Sequence, residues 1–264
     1  MNIHLNSQQL IQNAIDAYQL LDQSLKACSE QGIDRLEVFD RHFYEPHEIL
    51  TELLLEFKNF LESQYSSPEE KQNAGYLLEK IAILSFGSLK GYNNLKAYQS
   101  MSAQYDLLIS GNSPEWESLF SILRIDDLPK GILLEAKATN GKINDSQFSR
   151  LCSLIDHNFS KSVGLGIFFS INSLSGLPEE REQRLRKASD GYLKQIIFYC
   201  KTKIPIIVLD KEDILQLDKP GSLIKILDRK IRELEEMTGT KIEPIQSKVI
   251  DIPPKFNDVL KWLE

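Results

Sequence analysis

The chain has 264 residues, 42% of them hydrophobic and 26% charged, with a formal net charge of −7. These are the proportions of a globular protein that forms one large domain, or one domain with an appendage. No apolar run nears the roughly 20 residues a bilayer span needs, and the N-terminus lacks the charged-then-apolar layout of a signal peptide. Cys28, Cys152 and Cys200 are odd in number and far apart, which excludes a disulfide framework and a cysteine metal site. A reduced, cytoplasmic protein with no membrane partner is expected.

Charge is unevenly spread. Residues 1–70 hold 13 acidic and 4 basic residues, net −9, whereas residues 71–264 hold 25 and 27, net +2. The acidity belongs to the first quarter and does not weigh against an anionic partner for the rest. Arg181, Arg184, Arg186, Lys187, Lys194, Lys201 and Lys203 form a basic stretch, diluted by Glu179, Glu180, Glu182 and Asp190. A solvated helix surface looks the same, so this stretch identifies no ligand.

In chain order, Leu10, Ala14, Ala17, Leu21 and Leu25 recur at helical spacing after Ser7, and a second helix follows Pro46 with Ile49, Leu50, Leu53, Leu54, Phe57 and Leu61 on one face. Residues 1–67 thus read as a helical N-terminal subdomain, a hairpin or small bundle. A helix from Pro68 through Ile83 opens the second unit, 68–264. Residues 87–104 are polar and read as a loop or irregular strand. Tyr105–Ile109 reads as a short strand, Trp116–Ile125 as another, and Gly131–Ala138 as a third.

Phe148–Phe159 predicts a helix, and the apolar run Val163–Ile171 predicts a strand buried on both faces. A long helix over Pro178–Thr202, a buried strand over Ile204–Leu209 and a helix over Leu215–Met237 complete the pattern. Alternating strands and helices from residue 105 onward imply an α/β sheet with helices on both faces.

The informative segment is Gly131-Ile-Leu-Leu-Glu135-Ala-Lys137. Positions i and i+2 of a strand share a face, so Glu135 and Lys137 project together beyond an apolar stem. A carboxylate there suits a hard divalent cation, and an adjacent ammonium suits a hydrolytic water. Glu-x-Lys occurs three times, but Glu56-Phe-Lys58 and Glu69-Glu-Lys71 fall in helical segments, where i and i+2 diverge. A second acid is needed, and Asp106, opening the preceding strand, is preferred over Asp127, which sits beside Pro129 in a turn. Gln147 begins the next helix within reach of the lysine or a phosphate. Glu79, on the helix before the Asp106 strand, is a candidate third acid. Lys90, Tyr92, Lys96 and Tyr98 alternate base and aromatic near these positions, a pattern that suits a nucleic-acid strand or a plain surface equally.

No other motif survives. Gly164-x-Gly166 lacks the third glycine of a dinucleotide site, no P-loop is present, and Ser170, Ser173 and Ser175 have no nucleophile elbow.

ILLEAK at 132–137, YDLLI at 105–109, Gln147 and GIFFS at 166–170 together resemble the PD-(D/E)xK nuclease superfamily. The helix followed by IPIIVLD at 204–210 is similar to the Mrr-type restriction endonuclease domain. The likeness spans residues 75–235 by element order and does not reach residues 1–67. It departs from the pattern in having Tyr105 where a proline often precedes the acid.

The resemblance implies a restriction-endonuclease-like fold, with a mixed central sheet flanked by helices. It implies Mg²⁺ (or Mn²⁺) on Asp106, Glu135, the Ala136 carbonyl and Glu79, with Lys137 and Gln147 assisting attack on a phosphodiester. A metal-dependent endonuclease acting on DNA, in restriction or anti-phage defence, is the expectation. The alternatives are a catalytically silent nuclease-fold subunit and an RNA-directed nuclease. The N-terminal helices are expected to meet a second copy or a sensor protein.

Overall fold

The computed structural model describes residues 7–63, 67–97, 105–138, 141–175 and 191–238. The chain runs α1 (Ser7–Glu30), α2 (Arg35–Phe43), α3 (Ile49–Glu62), α4 (Pro68–Gly87), β1 (Asn94–Ala97), β2 (Leu107–Ser110), α5 (Pro114–Ile122), β3 (Gly131–Lys137), α6 (Asp145–Asn158), β4 (Leu165–Ser170), α7 (Gly191–Thr202), β5 (Ile206–Leu209), α8 (Lys211–Ile214) and α9 (Ser222–Met237).

The five strands lie in sequence order in one mixed sheet. β1, β2 and β3 are antiparallel neighbours. β3, β4 and β5 are parallel, because the helices α6 and α7 carry the chain back across one face between them. The fold is α/β, as the alternating pattern implied.

Side-chain alternation sorts the strands onto two cores. Leu107, Ile109, Ile132, Leu134, Leu165, Ile167, Phe169, Ile207 and Leu209 face one cluster, which they share with α3, α4, α5 and α9. Leu133, Phe168, Ile206 and Val208 face the other, closed by α6 through Phe148, Leu151 and Ile155 and by α7 through Tyr192 and Phe198. Every residue of β4 is buried, as its unbroken apolar run required.

Local chemistry sets the helix starts that frame the sheet. Ser67 caps α4 in a reciprocal box with Glu70, with Pro68 at the first helical position. Asn144 caps α6 in the same way with Gln147.

The expected strand over Trp116–Ile125 is a helix. Ser113 accepts from the Trp116 N–H at 3.2 Å, Pro114 occupies the first turn, and Trp116, Leu119 and Phe120 are buried on one face. That is a complete helix-start signal, and it overrides the β-forming aromatics.

The segment read as loop or irregular strand contains β1. The last helix starts at Ser222, not Leu215, because Pro220 and Gly221 (φ 77°) interrupt the backbone. Of the helix expected over Pro178–Thr202, residues 191–202 are helical. Residues 176–190, with Arg181, Arg184, Arg186 and Lys187, lie outside the described residues, as does Tyr98.

The helices before residue 67 share a core with the sheet. Phe43, Tyr44, Leu50, Leu54 and Phe57 are buried in the cluster that contains Leu223 and Ile231. The Tyr44 hydroxyl donates to the Leu217 carbonyl at 2.6 Å. Only α1 stands aside: it has no buried residue and exposes Leu10, Ile11, Ile15, Tyr18, Leu20 and Leu21. Among the described residues, no helix is long and apolar enough to cross a membrane.

Candidate active site

β3 is the strand that builds the site. Its start is fixed by close backbone approach: the Gly164 N–H donates to the Gly131 carbonyl at 2.9 Å. Its end carries Glu135, Ala136 and Lys137, paired in parallel with Phe168, Phe169 and Ser170 of β4.

Glu135 follows Leu133 on the α6 face of the sheet and is 1% exposed. Its Oε1 receives the Lys137 ammonium at 2.5 Å and the Arg150 guanidinium, which reaches down from α6. Its Oε2 is buried and has no hydrogen-bond partner. A buried carboxylate oxygen without a donor is costly to keep. Exposure rises outward through the cluster, from 2% for the Glu135 side chain to 23% for Lys137 and 41% for Arg150.

Asp106 precedes β2. Its N–H donates to the Leu134 carbonyl at 3.0 Å although Leu107 is the residue paired with Leu134, so the ladder starts one residue out of register. Such an irregularity re-aims a side chain. The Asp106 carboxylate accepts the Ala136 N–H at 2.5 Å, which ties the acid to the Glu-x-Lys segment through the intervening residue.

Asp106 also lines a cavity of about 190 Å³ with Glu79, Ala82 and Ile83 of α4 and with Ala97, Leu107 and Leu134. It therefore reaches the end of β3 from the α4 side, and Glu135 from the α6 side. Burial pushes the Asp106 carboxyl up from its ordinary value and the Glu135 charge adds to this, while the Ala136 N–H, Lys137 and Arg150 pull it down. Burial also raises Glu79, with Asp106 as a second cause. Both acids therefore lie in surroundings that disfavour their charged forms.

The sequence-derived residues are thus distributed unequally. Asp106, Glu135, Ala136 and Lys137 come together at one strand end. Glu79 joins Asp106 at the cavity. Gln147 is committed elsewhere: its side-chain oxygen accepts the Asn144 N–H at 3.1 Å in the cap of α6. Asp127 lies exposed in the turn before β3, four residues before Gly131 and at the far end of the strand from Glu135.

Arg150 is the residue that sequence reasoning missed. The available signal was spacing: Arg150 is one helical turn beyond Gln147, so a helix face expected to look at Lys137 carries it as well.

The donor chemistry fits a hard divalent cation supplied by two carboxylates. Mg²⁺ is commonly held by one or two carboxylates, with water and substrate phosphate completing the shell. The Glu135 oxygen that accepts no hydrogen bond is the matching feature. Glu79, Asp106 and Glu135 are not drawn into one ligand set: no group of three or more His, Cys, Asp or Glu is placed to hold a metal among the described residues. Compared with known proteins, the chain matches no family model, no curated protein and no solved structure.

Proposed function

We propose that this chain is a restriction-endonuclease-like, metal-dependent nuclease that hydrolyses phosphodiester bonds in DNA, with Asp106, Glu135 and Lys137 at its centre. The observation that carries this reading is the buried Glu135 carboxylate, with one oxygen shared by Lys137 and Arg150 and the other bare, beside the raised acid Asp106.

Asp106 and Glu135 would hold Mg²⁺ or Mn²⁺, which when bound neutralises charge on the phosphate. Lys137, partly exposed and anchored on Glu135, has donors to orient an attacking water and to stabilise charge on the phosphate oxygens. The water oxygen would bond to phosphorus as the bond from phosphorus to the leaving deoxyribose oxygen breaks; the attacking water gives up a proton to solvent and the leaving oxygen takes one from solvent. The 1-to-70 surplus of acid keeps the N-terminal helices away from a duplex, and the exposed apolar side chains of α1 suit a second copy or a sensor protein.

A silent, binding-only subunit is the second reading. It is favoured by the way Glu135 is neutralised by two cations, which also describes an ion pair that merely ties α6 to β3.

Cleavage of plasmid, linear DNA and matched RNA in Mg²⁺ or Mn²⁺ tests the proposal, with wild type beside Glu135→Ala and Lys137→Ala. Metal-dependent DNA cutting should fall by at least about 10²-fold in both variants. Cutting that survives both moves the centre elsewhere. Metal-dependent DNA binding without cutting supports the second reading, and a preference for RNA corrects the substrate.

A further inference from the structure

We infer that Arg150 is a phosphate-binding residue of this site, contacting the scissile or an adjacent phosphodiester from α6. The inference rests on the nuclease reading and extends it to a residue outside the Glu-x-Lys motif.

Three features of the cluster point to it. First, one carboxylate faces two cations. Lys137 at 2.5 Å already neutralises Glu135, so a second cation on the same oxygen is not needed to hold a buried acid. Second, both cations converge on Oε1 while Oε2 has no donor. A buried acceptor left bare costs about 1–3 kcal/mol, so a donor on Oε2 would have served the fold better than a second one on Oε1. The far oxygen is left clear of both cations. Third, Arg150 is the outermost of the three groups, with 41% of its side chain exposed against 2% for Glu135.

A guanidinium carries its N–H donors in a planar fork matched to phosphate oxygens. Its attachment to Glu135 preorganises that fork at the mouth of the site. The helix position fits as well. Gln147, one turn earlier, is tied into the cap by the Asn144 N–H, whereas Arg150 reaches Glu135.

The test pairs duplex binding in Ca²⁺, measured across a salt series, with single-turnover cleavage in Mg²⁺. The full chain is compared with Arg150→Ala, Arg150→Gln and Arg150→Lys. Arg150→Gln keeps a donor for Glu135 but loses the charge, which covers the case in which the alanine variant fails to fold.

In the alanine and glutamine variants, the slope of log affinity against log salt should shrink by about 1, the signature of one lost phosphate contact. Their cleavage should drop about 10²-fold or more. Arg150→Lys should retain the slope and lose only part of the rate. A wild-type slope and rate in Arg150→Gln would overturn the inference while leaving the nuclease reading in place. A wild type that binds but never cuts, with the slope still lost in the variants, would overturn hydrolysis and keep the phosphate contact. A wild type that neither binds nor cuts overturns both.

Discussion

Asp106 carries a cost in the resting protein. Burial raises its carboxyl, Glu135 raises it further, and the opposing Ala136 N–H, Lys137 and Arg150 do not cancel the shift. The folded state therefore holds this proton to higher pH than the unfolded chain does. The stability linked to the group is fully present below the unfolded carboxylate value, about 3.9, and is lost as pH rises through the raised folded value. At neutral pH the charged form opposes folding, so Asp106→Asn should raise the melting temperature in metal-free buffer. The gap should close as pH falls. A lower melting temperature for Asp106→Asn at pH 7 would show that the Ala136 hydrogen bond outweighs burial. Added Mn²⁺ should stabilise wild type and leave the variant unchanged. The shared face of Glu135 and Lys137 was legible in the sequence because a strand's two-residue period assigns faces directly. Arg150 was not, since its contact with Glu135 joins a helix to a strand 15 residues away.

At the scale of elements, β3 and β4 depend on two glycines that bear no resemblance to a nucleotide loop. A Cβ on Gly131 would lie 2.1 Å from the Ser162 carbonyl oxygen, and one on Gly164 would lie 2.2 Å from that of Pro129. Backbone atoms cannot swing away as a side-chain tip can, so Gly164→Ala should destabilise by about 1–3 kcal/mol through overpacking. Urea denaturation should show a lower midpoint with an unchanged slope. A midpoint within error of wild type would mean that the β3–β4 start is slack. β3, β4 and β5 were readable because apolar runs bounded by polar residues name strands by themselves. α5 was misread because Trp116, Leu119 and Phe120 look β-forming until Ser113 and Pro114 are taken as a cap and first turn. β1 was read only as a loop or irregular strand because its mostly exposed side chains leave no burial pattern to detect.

Across the whole molecule, the N-terminal helices contribute in two different ways. Leu50, Leu54 and Phe57 of α3 are buried with residues from the sheet and α9, whereas α1 buries nothing. Phe57→Ala should therefore cost about 3–5 kcal/mol. Deleting residues 1–30 should move the melting temperature by no more than a few degrees, on the order of 1 kcal/mol in a domain of this size. Calorimetry on both variants checks the contrast. A large loss on deletion would place α1 in a cooperative unit, with a second copy covering its exposed leucines and isoleucines.

The sequence by itself determined the α/β class, the doubly buried strand β4, most helices, and the placing of Glu135 and Lys137 on one face of a strand end. These follow from periodicity and local capping, which act over a few residues. Only the tertiary structure decided that α2 and α3 join the main core, that Asp106 is bound to the Ala136 N–H from the α4 side, and that Arg150 reaches Glu135 while Gln147 does not. Each of these depends on how elements distant in sequence pack, and hydrophobic burial is non-directional. It fixes which faces are covered, and leaves the partners across each face to the shape of the assembled core.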